Sequence, residues 1–65
     1  MYNVGDRVEF INLKGSPWDK ATALVERISG DTFWFRQDNG ITGNLVRASL
    51  PIFTRMLAPF SLENK

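Results

Sequence analysis

The sequence predicts an all-β domain in which five short strands curl into one small barrel. Three observations lead there. Turn-forming residues punctuate the chain at short intervals, apolar and polar residues alternate between them, and residues 32–36 are dense in aromatic and β-branched side chains. The 65 residues make one domain, 1–65, with the barrel over about 4–56 and a C-terminal tail over 57–65. A chain this short buries only about 60% of the surface its unfolded form exposes, so its stability is marginal. Neither Cys nor His is present, which excludes disulfides and the usual zinc sites. Stability must then come from a well-packed apolar core, from self-association, or from both. A hydrophobic content of 43%, with five Phe and two Trp, supplies enough apolar mass for a core and argues against disorder.

The first strand is expected over residues 6–13, with Val8 and Phe10 inward and Arg7 and Glu9 outward. Residues 14–19 follow as a loop marked by Gly15 and Pro17. The second strand is expected over 20–28. Ala21, Ala23 and Val25 share a parity that Ile28 breaks, so a β-bulge near Glu26 and Arg27 is needed to return Ile28 to the core. A helix over 21–28 competes, but the segment is short and Ser29-Gly30-Asp31 reads at once as a hairpin turn. The third strand is Thr32-Phe33-Trp34-Phe35-Arg36, followed by Asp38-Asn39-Gly40, whose Asn-Gly pair suits positive φ angles. A weaker fourth strand, 41–47, holds Gly43, which marks close backbone approach or a bend. Ala48-Ser49-Leu50 before Pro51 reads as one tight turn, because proline disfavours the helical region for its predecessor. Residues 52–56 form the expected fifth strand.

Val4-Gly5-Asp6-Arg7-Val8, the pattern Ala23-x-Val25-x-x-Ile28-x-Gly30-Asp31-Thr32-x-x-Phe35, and Asp38-Asn39-Gly40 followed by Arg47-x-Ser49-Leu50 cover residues 4–56. In this order they resemble an SH3-like barrel of the Tudor or KOW kind: its opening strand, its central hairpin, and its third hairpin with a short 3-10 turn before the last strand. The resemblance implies a five-stranded barrel. It does not choose among the unrelated functions that such a fold hosts.

The missing His and Cys remove the ordinary general base, the thiol nucleophile and the Ser-His pair, so no enzyme activity is expected. The carboxylates are scattered singly and no glycine-rich phosphate loop occurs, so neither cofactor nor metal is expected. No apolar run approaches the ~20 residues of a membrane span. The start, Met-Tyr-Asn-Val-Gly-Asp, lacks the features of a signal peptide, and a cytoplasmic location is the default expectation.

A binding module remains, with a protein partner or a second copy of the chain as its target. If Phe33 and Phe35 face inward, Trp34 points outward with Arg36, and antiparallel pairing is expected to set Leu24 beside it. Trp and Arg are enriched at the centres of interfaces. Two arrangements are open for Trp34: exposure as a contact residue, or cover by Leu57 or Phe60 of the chain's own tail. Trp18, in the first loop, is either one wall of a cage for a methylated cation, as Tudor-like domains often place there, or a plug for one end of the barrel. The alternative target is RNA or DNA, bound in KOW-like fashion by Lys14, Lys20, Arg36, Arg47 and Arg55 converging on one side. Eight Lys and Arg against seven Asp and Glu leave a net charge of only +1, which weakens that alternative.

Overall fold

Alternation along the chain sorts the side chains onto two faces of one antiparallel sheet. The computed structural model describes residues 2–58. Its strands are β1 (Arg7–Phe10), β2 (Thr22–Ser29), β3 (Thr32–Gln37), β4 (Thr42–Val46) and β5 (Thr54–Ala58), in the spatial order β4-β3-β2-β1-β5. The inner face gathers Val8, Phe10, Ala23, Val25, Phe33 and Phe35 into the core, closed by Leu50. Phe10 meets Phe35 edge-on, with ring centroids 4.9 Å apart and planes at 84°, an arrangement that ring quadrupoles favour.

The expected bulge is present. Val25 pairs with Phe35 and Arg27 with Trp34, so Glu26 is the extra residue on β2. The insertion returns Ile28 to the core side, opposite Phe33, and leaves Glu26 and Arg27 exposed. At the 38–40 turn only Gly40 adopts a positive φ, of 93°; Asn39 instead accepts the Ile41 N–H through Oδ1 at 3.0 Å. A side chain at Gly40 would be strained there, which is why glycine closes this turn.

Several expectations are corrected. β1 stops at Phe10 and not at 13, because the Ile11 N–H turns away to the Phe53 carbonyl at 2.8 Å and Asn12 takes φ 61°. The expected tight turn at 48–51 is a longer helical segment: a 3-10 turn (Arg47–Ser49) runs into α1 (Leu50–Phe53). Leu50 is helical, φ −58° and ψ −48°, despite preceding Pro51. Pro51 lies in the first turn of α1, where its missing N–H would have had no helical partner anyway. Ile52 and Phe53 are therefore helical, and the last strand begins at Thr54 and extends through Leu57 to Ala58. Thr54 anchors that junction: its buried hydroxyl donates to the Leu50 carbonyl at 2.6 Å and so accepts from the Tyr2 hydroxyl at 2.9 Å.

The predicted barrel does not close. β4 and β5 are both sheet edges, and the helical segment spans the path between them without ladder bonds joining the two strands. The fold is mostly β, five antiparallel strands with one seven-residue helical segment.

Besides Thr54, the inner face carries a polar residue on β3. Gln37 is 7% exposed, and its Nε2 has no hydrogen-bond partner among the described residues. A buried donor left unmade costs about 1–3 kcal/mol. Gln37→Met, which keeps the length and removes the amide, is expected to raise stability by about 1 kcal/mol. Urea midpoints of the two proteins check this, and a lower midpoint for the variant would contradict it.

Candidate functional site

Because Phe33, Phe35 and Gln37 are buried, Thr32, Trp34 and Arg36 present the opposite face of β3. On that outer face the register lines up Arg7, Leu24, Arg36 and Thr42 across β1, β2, β3 and β4. The next row is Arg27, Trp34 and Asn44. Leu24 thus stands opposite Arg36, and the residue opposite Trp34 is Arg27. The pairing counted from the hairpin, Ser29 opposite Thr32 and Ile28 opposite Phe33, already sets Arg27 opposite Trp34; the bulge at Glu26 shifts only the pairs beyond it, where Leu24 meets Arg36. Arg27 uses the position, placing its Cζ 4.6 Å from the centroid of the Trp34 ring, within cation–π range. Trp34 and Leu24 are both half-buried. Of the tail residues expected to cover Trp34, Leu57 is 41% exposed on β5, at the far side of the sheet, and Phe60 lies outside the described residues.

The face carries alternating charge. Arg36 donates to Glu26 Oε2 from Nε and Nη2 at 2.8 and 2.7 Å, Arg55 donates to Glu9 at 2.6 Å, and Arg7 donates to Asp38 at 3.2 Å. These are solvent-facing pairs worth about 0–1 kcal/mol each, and their main effect is to cancel charge locally. Arg27 differs. Its guanidinium lies over the Trp34 ring and has no carboxylate partner among the described residues.

A second feature lies on the other side of the sheet. Residues 11–21 form a loop braced from within: Asp19 Oδ1 accepts the Leu13 N–H, Ser16 Oγ accepts the Trp18 N–H, and the Ser16 and Ala21 N–H groups donate to the Leu13 and Trp18 carbonyls. The brace seats Trp18 against Phe10, ring centroids 4.7 Å apart, and over Gly43 of β4. Beside it runs an apolar groove of about 220 Å³ lined by Phe10, Leu13, Trp18 and Leu45, with Ser16 and Asn44 among its polar lining. Trp18 packs against the core from the loop side. It bridges the loop to β4, and the one ring it meets among the described residues is Phe10, itself 3% exposed.

The five cations expected to converge do not. Arg36 and Arg55 share the outer face but stand on β3 and β5, with β2 and β1 between them. Arg47 sits beyond β4, held by Asp31 at 3.4 Å and stacked 5.1 Å from the Phe33 ring centroid. Lys14 and Lys20 are exposed in the 11–21 loop. Arg27, absent from both expected sets, is the residue opposite Trp34; the turn expected at Ser29-Gly30-Asp31 was the signal that could have found it, since pairing counted from that turn sets the two side by side. No group of three or more His, Cys, Asp or Glu poised for a metal occurs among the described residues, and no helix there is long and apolar enough to cross a membrane. Comparison with protein-family models, with curated proteins and with solved structures returned no match.

Proposed function

We propose that this protein is a non-enzymatic protein-interaction module that binds through the outer face of β2 and β3, at Leu24, Trp34 and Arg36, with Arg27 added to the set. The observation that carries the reading is Trp34, half-buried near Leu24 on a face rich in charged residues, with a guanidinium over its ring. The absence of His and Cys supports the non-enzymatic half. An SH3-like kinship of the Tudor or KOW kind belongs to the same proposal. It is supported by the succession of hairpins and by the 3-10 turn shortly before β5, while the open sheet departs from a closed barrel. The nucleic-acid alternative is weakened because Arg36, Arg47 and Arg55 each carry a carboxylate partner.

Trp34→Ala tests the reading. The variant is expected to stay folded, at a cost of about 1–2 kcal/mol for a half-buried ring, and to lose the partner that the parent protein retains from cell extract. Circular dichroism and capture with and without nuclease make the measurement, alongside the mass of the free protein in solution. A collapsed fold would show Trp34 to be core. Capture abolished by nuclease would make the partner a nucleic acid.

A further inference from the structure

We infer that the outer face receives a protein segment bearing a carboxylate next to an aliphatic or aromatic side chain, with the carboxylate meeting Arg27 and the apolar group meeting Trp34 and Leu24. This rests on the interaction reading above and specifies the partner's chemistry.

The argument is one of charge complementarity. Arg7, Arg36 and Arg55 on this face are each neutralised within the chain, by Asp38, Glu26 and Glu9. Arg27 is the one outer-face arginine without such a partner among the described residues, and the Trp34 ring holds its guanidinium in place. A guanidinium lying on an aromatic ring keeps the edge of its plane free, and that edge is the geometry that takes a carboxylate through two parallel hydrogen bonds. Stacking also removes part of the entropy cost of ordering the arginine on binding.

Two other occupants fit less well. A second copy related by a two-fold axis through this patch would set Arg27 against Arg27, a like-charge contact at the centre. A nucleic acid gains its affinity by neutralising several phosphates, and among the described residues this face offers one guanidinium without a carboxylate partner. One carboxylate beside apolar contact matches what is present.

The test is selection of a displayed random dodecapeptide library on the full chain, followed by titration of selected synthetic peptides against the parent, Arg27→Gln, Arg27→Lys and Trp34→Ala proteins. Each variant is first checked for the parent's circular dichroism. The inference expects enrichment of Asp or Glu next to Leu, Ile or an aromatic residue. It also expects about ten-fold weaker binding for Arg27→Gln, an intermediate loss for Arg27→Lys, and no further loss for Arg27→Gln when the peptide's acid is changed to its amide. Selected peptides that need Trp34 but are neutral or basic, or are indifferent to Arg27→Gln, would overturn the acidic partner and leave the interaction face standing. A selection yielding no Trp34-dependent peptide would overturn both. A fluorescent dT20 or U20 oligonucleotide bound at low salt in an Arg27-dependent way would replace the protein segment with a nucleic acid.

Discussion

Phe35→Ala is expected to unfold the domain. Phe35 is fully buried on β3, opposite Val25 on one side and Gly43 on the other, with its ring against Phe10. Truncating a buried Phe costs about 3–5 kcal/mol through lost transfer energy and the cavity left behind. The core of a domain below about 70–80 residues rarely supplies more than about 3–5 kcal/mol. Loss and total are therefore comparable, and the variant should show no cooperative melt at room temperature by circular dichroism. Phe35→Leu, which keeps most of the volume, should remain folded with a loss closer to about 1.5 kcal/mol. A cooperatively folded Phe35→Ala with a loss under about 1 kcal/mol would mean that the core is not organised around this ring.

Gly43→Ala carries the second large effect, and here space rather than backbone angle decides. Gly43 is not among the glycines with positive φ, so alanine would suit its backbone. A Cβ there would lie 2.8 Å from Trp18 Cζ2 and 3.3 Å from Cε2, closer than unbonded carbons pack. The ring cannot retreat cheaply, since the braced loop and Phe10 hold it. Overpacking of this kind costs about 1–3 kcal/mol, against a gain of only about 0.4–1 kcal/mol from replacing a flexible glycine, so the net effect is destabilising. The double variant Gly43→Ala with Trp18→Ala should recover part of the loss, with a coupling of about 0.5–3 kcal/mol in a thermodynamic cycle. Additive losses, or a raised melting temperature for Gly43→Ala alone, would show that loop and strand are not locked together.

Short-range physics made much of this fold legible. The inward set Val8, Phe10, Ala23, Val25, Phe33 and Phe35 follows from period-two alternation, and each is buried. The bulge at Glu26 followed from one residue of broken parity, and the glycine in β4 marked a crowded position, though what crowds it is the Trp18 side chain and not backbone. All of these are properties of segments a few residues long.

What lay beyond the sequence depends on residues far apart in the chain. Whether the sheet closes is decided by where β4 and β5 end up relative to each other, and no local pattern encodes that. Leu50 is helical before Pro51 against a local preference, at a place where it is buried, its carbonyl accepts the Thr54 hydroxyl, and that hydroxyl also bonds Tyr2 from far earlier in the chain. The candidate site follows the same division. Alternation alone put Trp34 on the outer face, but its partner was set by the register that the hairpin fixes between two strands, which places Arg27 opposite it and Leu24 opposite Arg36. Periodicity determines which way a side chain points. Register and ion pairing across strands determine what it meets, and so which arginine is left to meet something else.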